Sequence, residues 1–84
     1  NFYKLSGYLN LMSGNVDASL SFYNQIPREL LDGDNYHLYF YALAVNAKGD
    51  KEKSTEIFQY LANYNFAGWE NSVVRSLAQA QLEV

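Results

Sequence analysis

The chain has 84 residues, enough for one small domain, and the 49% apolar and 17% aromatic content is that of a folded protein. Six basic and nine acidic residues give a formal net charge of −3, without the clustered Lys and Arg that attract phosphates. We therefore expect neither nucleic acid nor a membrane as the partner. The absence of cysteine excludes disulfides, thiolate nucleophiles and cysteine-ligated zinc.

No segment of the sequence predicts a membrane span. The longest apolar stretch, Leu38 to Val45, is far shorter than the roughly 20 residues that a transmembrane helix needs. The sequence begins with Asn1 and lacks a signal-like segment, which we interpret as a domain taken from a longer protein. The compartment stays open between the cytoplasm and the bacterial periplasm, because a disulfide-free protein fits both.

Two amphipathic helices are predicted in the first third of the chain. Apolar residues recur every three or four positions, first as Phe2, Leu5, Leu9 and Met12 with Tyr8 beside them, and then as Val16, Leu20, Tyr23 and Ile26. Gly14 suits the residue just after a helix, and Asn15 is a good N-cap for the next helix. Pro27 limits the second helix because it disfavours helical backbone at the residue before it.

A second helical pair is predicted after the connector at residues 27–35. Leu30 and Leu31 are expected to form a short packed turn, followed by the turn sequence Asp32-Gly33-Asp34. Asp34 is predicted to cap a third helix, whose apolar residues are Tyr36, Tyr39, Phe40, Leu43, Ala44 and Ala47. Lys48-Gly49 suits the end of that helix, and Asp50 is predicted to cap a fourth helix, which carries Ile57, Phe58, Tyr60, Leu61 and Tyr64.

A fifth helix is predicted after the Asn-rich connector at residues 63–68. It begins near Trp69 and carries Val73, Leu77, Ala80 and Val84 on one face. No stretch has a strand pattern of comparable quality. The expected fold class is therefore all-α, with about five helices.

The two helical pairs repeat each other. A shift of 35 residues brings Gly14 onto Gly49, and it also matches small residues with small ones and large apolar residues with large ones. The matched pairs are Gly7 with Ala42, Asn15 with Asp50, Asp17 with Glu52, Ser19 with Ser54, Phe22 with Ile57, Tyr23 with Phe58, and Ile26 with Leu61. The small residues at Gly7/Ala42 and Ser19/Ser54 allow two antiparallel helices to approach closely. Each helical pair must stack on a neighbouring pair to cover its apolar face.

This pattern resembles the tetratricopeptide repeat. The better copy is residues 37–61, in which Ala42, Gly49, Ser54, Phe58 and Leu61 fall on the family's positions. The first copy carries Tyr3, Gly7, Gly14, Ser19 and Tyr23 in the same register. His37-Leu38 replaces the family's frequent tryptophan, two serines replace its favoured alanine, and Pro27 comes earlier than its proline.

The resemblance implies a helical solenoid and the function of a non-catalytic interaction scaffold. Residues 1–33 form the first repeat with its connector, residues 34–67 the second, and residues 68–84 a capping helix or the start of a third. A protein or peptide partner is expected on the concave surface. Carried over from the family, that surface consists of Lys4, Tyr8, Leu11, Tyr36, Tyr39, Leu43, Asn46, Asn71, Val74 and Ala78. Tyr8 stands where the family's carboxylate-clamping members need Asn, so that variant is not expected.

No catalytic or metal site is expected, and no cofactor. His37 is the only histidine, and no partner residues complete a nucleophilic triad with it. Asp32 and Asp34 lack the further ligands and the closing Glu of a calcium-binding loop.

Two other functions fit the same residues. The chain can be an architectural segment of a larger bacterial protein, periplasmic or secreted, whose chemistry lies elsewhere. It can also self-associate as a homodimer through its open ends, where Val73, Leu77 and Val84 would pair with a symmetry mate.

Overall fold

The computed structural model describes residues 2–32, 34–64 and 68–83, and it contains helices but no strand within these ranges. The helices are α1 (Phe2–Met12), α2 (Val16–Tyr23), α3 (Arg28–Asp32), α4 (Asn35–Lys48), α5 (Lys51–Ala62) and α6 (Trp69–Leu82). The predicted all-α class is confirmed, and α1, α2, α4, α5 and α6 are the five predicted helices. None of the helices in the described ranges combines the length and the apolar character needed to cross a bilayer.

The connector between the two helical pairs differs from the prediction. Helix α2 ends at Tyr23 rather than continuing to Ile26, because Gln25 N and Ile26 N donate to carbonyls three residues earlier and tighten the chain into a turn. The turn expected around Leu31 is the short helix α3, which buries Leu31 to 2% exposure and leaves Leu30 exposed. Gly33 lies outside the described residues.

The helix ends follow the predicted chemistry at four of the five predicted caps, including Gly14, whose φ is 83°. Gly49 has the left-handed conformation that closes α4, with φ of 104°, and Asp50 caps α5 by accepting a hydrogen bond from Lys53 N at 3.1 Å. Asp34 caps α4 by accepting from His37 N at 3.4 Å. Asn15 occupies the cap position of α2, but its side chain makes no cap hydrogen bond within the described residues.

Each helical pair closes on small residues. In the first pair, Ser19 is completely buried and its Oγ donates a hydrogen bond of 2.7 Å to the carbonyl oxygen of Gly7. In the second pair, Ala42 and Ser54 are buried to 0% and 1% exposure. Both turns also place a glycine with positive φ before the second helix, so the 35-residue correspondence extends to the backbone.

Helix α4 lies at the centre of the molecule and packs against α1, α2, α3, α5 and α6. Helices α2 and α5 each pack against two others, α2 against α1 and α4, and α5 against α4 and α6. The core therefore surrounds α4. Its most deeply buried side chains are Tyr23, Leu31, Leu38, Ala42, Ala44, Ile57, Leu61, Val74 and Ala78.

The apolar periodicity that predicts α1 marks an exposed face of that helix. Phe2, Leu5, Leu9 and Met12 are each more than half exposed, while Gly7 on the opposite side packs against α2. Val73 and Leu77 of α6 are 38% and 40% exposed. The two outermost helices thus leave an apolar face uncovered by the described residues.

Candidate interaction surface

Three of the predicted surface residues belong to the core. Tyr39, Val74 and Ala78 are only 6%, 1% and 0% exposed. Helix α6 lies against α4 and α5, so the side of each helix that faces its neighbour is closed. The prediction that these three side chains line a surface is wrong for this arrangement of helices.

Three predicted polar residues are engaged in contacts between helices or within a hairpin. Lys4 Nζ forms an ion pair with Asp34 Oδ2 at 3.2 Å, which joins α1 to the start of α4. Asn71 Oδ1 accepts a hydrogen bond of 3.1 Å from Asn35 Nδ2, which joins α6 to α4. Asn46 Oδ1 accepts a 2.7 Å hydrogen bond from Lys51 Nζ across the α4–α5 turn.

The remaining four predicted residues, Tyr8, Leu11, Tyr36 and Leu43, are all partly exposed. Phe40 is also partly exposed, and its ring centroid is 4.8 Å from that of Tyr8. Tyr36, Phe40 and Leu43 are spaced by four and three residues and so share one side of α4. We call this set of five residues the α1–α4 face.

The residues that α4 contributes to the α1–α4 face are held in place by the core. Tyr36, Phe40 and Leu43 all pack against the buried core cluster, which limits their rotamers. The His37 ring meets the Phe40 ring edge-on with centroids 5.8 Å apart, and the Tyr39 ring lies 6.0 Å from Phe40. A surface built in this way is held in place before any partner arrives.

The ring of His37 contacts a buried side chain of the first hairpin. Its Nδ1 lies 3.2 Å from the hydroxyl oxygen of Tyr23, a completely buried side chain, so the pair links α2 to α4. Burial lowers the pKa of His37 below its ordinary value, although the nearby Asp34 opposes this shift. Burial, and then the negative charge of Asp34, raises the pKa of Tyr23.

A second candidate site is a cleft of about 240 Å³ where the end of α4, the start of α5 and the end of α6 meet. Its walls include Asn46, Lys51, Ser54 and Gln81. These polar groups already bond one another or the fold: Asn46 Oδ1 also lies 3.4 Å from Ser54 Oγ, and Gln81 Nε2 donates to the Tyr39 hydroxyl at 3.3 Å. The cleft therefore offers a ligand fewer unsatisfied groups than its composition suggests.

No group of three or more His, Cys, Asp or Glu residues within the described ranges is arranged to hold a metal ion. Asp34 is occupied by Lys4 and by the cap of α4. The side chain of Asp32 lies outside the described residues.

Searches with the chain against protein-family models, curated proteins and solved structures found no significant match. The function is therefore inferred from the chain's own residues and contacts.

Phe40 is the residue of the α1–α4 face that sequence reasoning did not select. The apolar spacing puts Phe40 on the apolar side of the third predicted helix, but the family positions pass from Tyr39 to Leu43. A signal was present, because Phe40 follows Tyr36 by four residues and precedes Leu43 by three. That spacing defines a second stripe of α4 beside the one that contains Tyr39.

Proposed function

We propose that the chain is a non-catalytic protein–protein interaction scaffold of the tetratricopeptide kind, which binds a peptide or protein segment across the α1–α4 face. The observation that carries this proposal is the contact between the Tyr8 and Phe40 rings at 4.8 Å. It joins two successive first helices into one partly exposed aromatic surface, with Tyr36 and Leu43 on either side of Phe40.

The chemistry of this face suits an apolar or aromatic side chain of a partner. Tyrosine and phenylalanine offer a large contact area and lose little rotamer entropy, and the tyrosine hydroxyls can hydrogen-bond a partner's backbone. The ion pair of Lys4 and Asp34 lies at the N-terminal end of α4, and none of the five residues that define the face is charged. An apolar segment is favoured there over a strongly charged one.

The repeat arrangement supports the family part of the proposal. Helices α1, α4 and α6 make successive contacts, and α2 and α5 each pack between two of them. The small pairs Gly7–Ser19 and Ala42–Ser54 occupy the same places in the two hairpins. This order of contacts is the one expected when helical hairpins stack in sequence.

The test begins with a peptide selected by the purified chain from a display library of short random sequences. Calorimetry then measures the dissociation constant of that peptide for the wild-type chain and for Tyr8→Ala. We expect the substitution to raise the dissociation constant by about 10-fold or more, as for an aromatic hot spot. The matched control is Tyr60→Ala, which removes a tyrosine that is 47% exposed on α5, away from α1.

A second variant, Tyr36→Ala, removes a different ring of the same face and should weaken binding in the same direction. Thermal melting followed by circular dichroism verifies that each variant is folded at the temperature of the titration. The assignment of the α1–α4 face would be refuted if Tyr8→Ala and Tyr60→Ala lost equal peptide affinity. It would also be refuted if the selected peptide bound Tyr8→Ala and Tyr36→Ala as tightly as the wild type.

A further inference from the structure

His37 contacts both the buried core and the α1–α4 face. Its Nδ1 atom is 3.2 Å from the hydroxyl oxygen of Tyr23. Its ring meets the Phe40 ring edge-on with centroids 5.8 Å apart, and Phe40 in turn contacts Tyr8 at 4.8 Å. These contacts form a continuous series from a buried phenol of α2, through the imidazole, to the two rings whose contact carries the proposed function. The charge of His37 is therefore one contact away from a residue of the face.

The hydrogen bond with Tyr23 favours a neutral His37. Tyr23 is 1% exposed, and within the described part of the chain His37 Nδ1 is the hydrogen-bond partner of its hydroxyl. The hydroxyl can donate to Nδ1 only while that nitrogen carries no proton, so the imidazole proton must lie on Nε2. If Nδ1 becomes protonated, the hydroxyl must turn its own proton away from His37, and a buried O–H group has no water to receive it. Protonation of His37 thus disturbs the contact between α2 and α4.

The charges near His37 act in opposite directions. Asp34 at the cap of α4 favours the protonated ring, whereas Lys4 of α1 and the amino terminus of the chain disfavour it. Lys4 and Asp34 are themselves paired at 3.2 Å. Burial has the largest effect, and it lowers the pKa of His37. The other described charged side chains of α2 and α3 are exposed, namely Asp17, Arg28 and Glu29.

A partner bound to the α1–α4 face lies beside His37. The His37 side chain is partly exposed, and both the preceding residue Tyr36 and the contacting residue Phe40 belong to the face. An apolar segment over these two residues removes water from the imidazole and supplies no negative charge in its place. Loss of water disfavours the charged form of histidine. Bound peptide and neutral His37 therefore stabilise each other.

We propose that His37 makes binding at the α1–α4 face sensitive to pH, so that the chain binds its peptide while His37 is neutral and releases it in acid. The inference rests on the proposed function and specifies the regulation of the same site. Histidine is the side chain whose ordinary charge change falls between about pH 5 and 8, and His37 is the only one in the chain. It acts as a positioning residue, through its contacts with Tyr23 and Phe40.

The test uses a selected peptide that has blocked termini and no histidine, aspartate or glutamate, so that only the chain titrates. Calorimetry from about pH 7.5 to about pH 5 covers the range in which histidine changes charge. We expect the dissociation constant of the wild-type chain to rise by about 3- to 10-fold as the pH falls. The expected loss is complete only once His37 is protonated in the free chain.

Proton NMR gives a second, independent measurement, because the Cε1–H resonance of a single histidine is unambiguous. The midpoint of the His37 titration should lie below the ordinary value of 6.5 in the free chain, since burial lowers this pKa. It should lie lower still in the complex. Linkage is reciprocal, so the factor by which acid weakens the peptide must equal the factor by which the peptide weakens proton binding.

His37→Gln is the matched variant, because its amide oxygen can still accept from the Tyr23 hydroxyl but does not titrate. Its dissociation constant should change by less than about 2-fold across the same pH range. Tyr23→Phe removes the hydroxyl and keeps the ring that packs on Gly7. It should raise the midpoint of His37, because the neutral imidazole loses its hydrogen bond. Circular dichroism verifies that the wild type and both variants are helical at each pH used.

Failure of this inference can be distinguished from failure of the proposed function. If Tyr8→Ala binds the peptide as tightly as the wild type at the highest pH, the assignment of the face fails and the pH sensitivity fails with it. If Tyr8→Ala loses affinity but the wild-type dissociation constant stays the same in acid, only the pH sensitivity is overturned. The same conclusion follows if His37→Gln keeps the pH dependence, if the peptide leaves the His37 midpoint unchanged, or if Tyr23→Phe does not raise it.

Discussion

Gly7 has no room for a side chain. A β-carbon at this position would lie 2.7 Å from Cε2 and 2.8 Å from Cζ of Tyr23. The Tyr23 ring cannot easily move away, because it is 1% exposed and its hydroxyl contacts His37. A single hydrogen atom at Gly7 thus sets the distance between α1 and α2.

We expect Gly7→Ala to lower the free energy of unfolding by about 1–3 kcal/mol, the usual cost of overpacking a close contact. The better helix propensity of alanine, worth about 1 kcal/mol, opposes this loss without cancelling it. Urea unfolding measures the change. Ser6→Ala, at the partly exposed neighbouring position, serves as the control and should be neutral or slightly stabilising. A Gly7→Ala chain as stable as the wild type would contradict the tight packing of α1 on α2.

The residues of the predicted surface illustrate what a helical position alone can establish. Tyr36 and Leu43 are partly exposed as expected, whereas Tyr39, between them, is buried. The ring of Tyr39 lies 5.9 Å from that of Phe58, and its hydroxyl accepts from Gln81. Sequence periodicity gives the relative direction of side chains on one helix, but the rotation of that helix depends on its neighbours. The surface prediction is wrong at Val74 and Ala78 for the same reason.

At the scale of the elements, the two hairpins enter their second helices differently. Asp50 accepts a hydrogen bond from Lys53 N at the start of α5, whereas the equivalent Asn15 makes no side-chain cap bond within the described residues. The carboxylate of Asp50 also interacts favourably with the positive end of the helix dipole. The first turn of α5 is consequently better stabilised than that of α2.

We expect Asp50→Ala to lower the free energy of unfolding by about 1 kcal/mol, the typical value of a lost N-cap. Asn15→Ala is the matched variant, 35 residues earlier, and should cost less than half as much. Both values come from urea unfolding at neutral pH. Equal costs at the two positions would show that the Asp50 side chain contributes no more than its counterpart.

The helices were predictable from the sequence where local signals mark their ends. The helices around Gly14 and Gly49 were found because glycine, caps and apolar spacing agree at these places. The early end of α2 and the presence of α3 were not found. Five residues are too few for a helical period to be recognised, and the hydrogen bonds of Gln25 and Ile26 depend on local backbone geometry. Tertiary burial of Leu31 then stabilises a helix too short to form alone.

At the scale of the whole molecule, α4 connects the two hairpins. It packs against each of the other five described helices, and Leu38 near its start is completely buried. Disturbing this helix should therefore affect both halves of the chain together. In an array whose hairpins were each stable alone, disturbing α4 would affect only the hairpin to which it belongs.

We expect Leu38→Ala to lower the free energy of unfolding by about 2–5 kcal/mol, the range for a buried leucine. Hydrogen exchange should show amide protection falling in α1 and α2 as well as in α5, because both hairpins lose the same support. Leu30→Ala is the control, since Leu30 is 58% exposed and its truncation should change stability by less than about 0.5 kcal/mol. Full protection of either hairpin in Leu38→Ala would argue against a central role for α4.

The burial of Tyr23 also has an optical consequence. The chain has eight tyrosines, and the raised pKa of Tyr23 keeps its phenol neutral at a pH at which exposed phenols ionise. Unfolding returns Tyr23 to the ordinary value of 10.0, so its contribution to stability is complete below pH 10.0 and is lost as the pH rises above it. In an alkaline titration followed by phenolate absorbance, we expect a last step that coincides with the loss of helical circular dichroism. The phenol between α2 and α4 would then report, without any attached label, when the two hairpins separate.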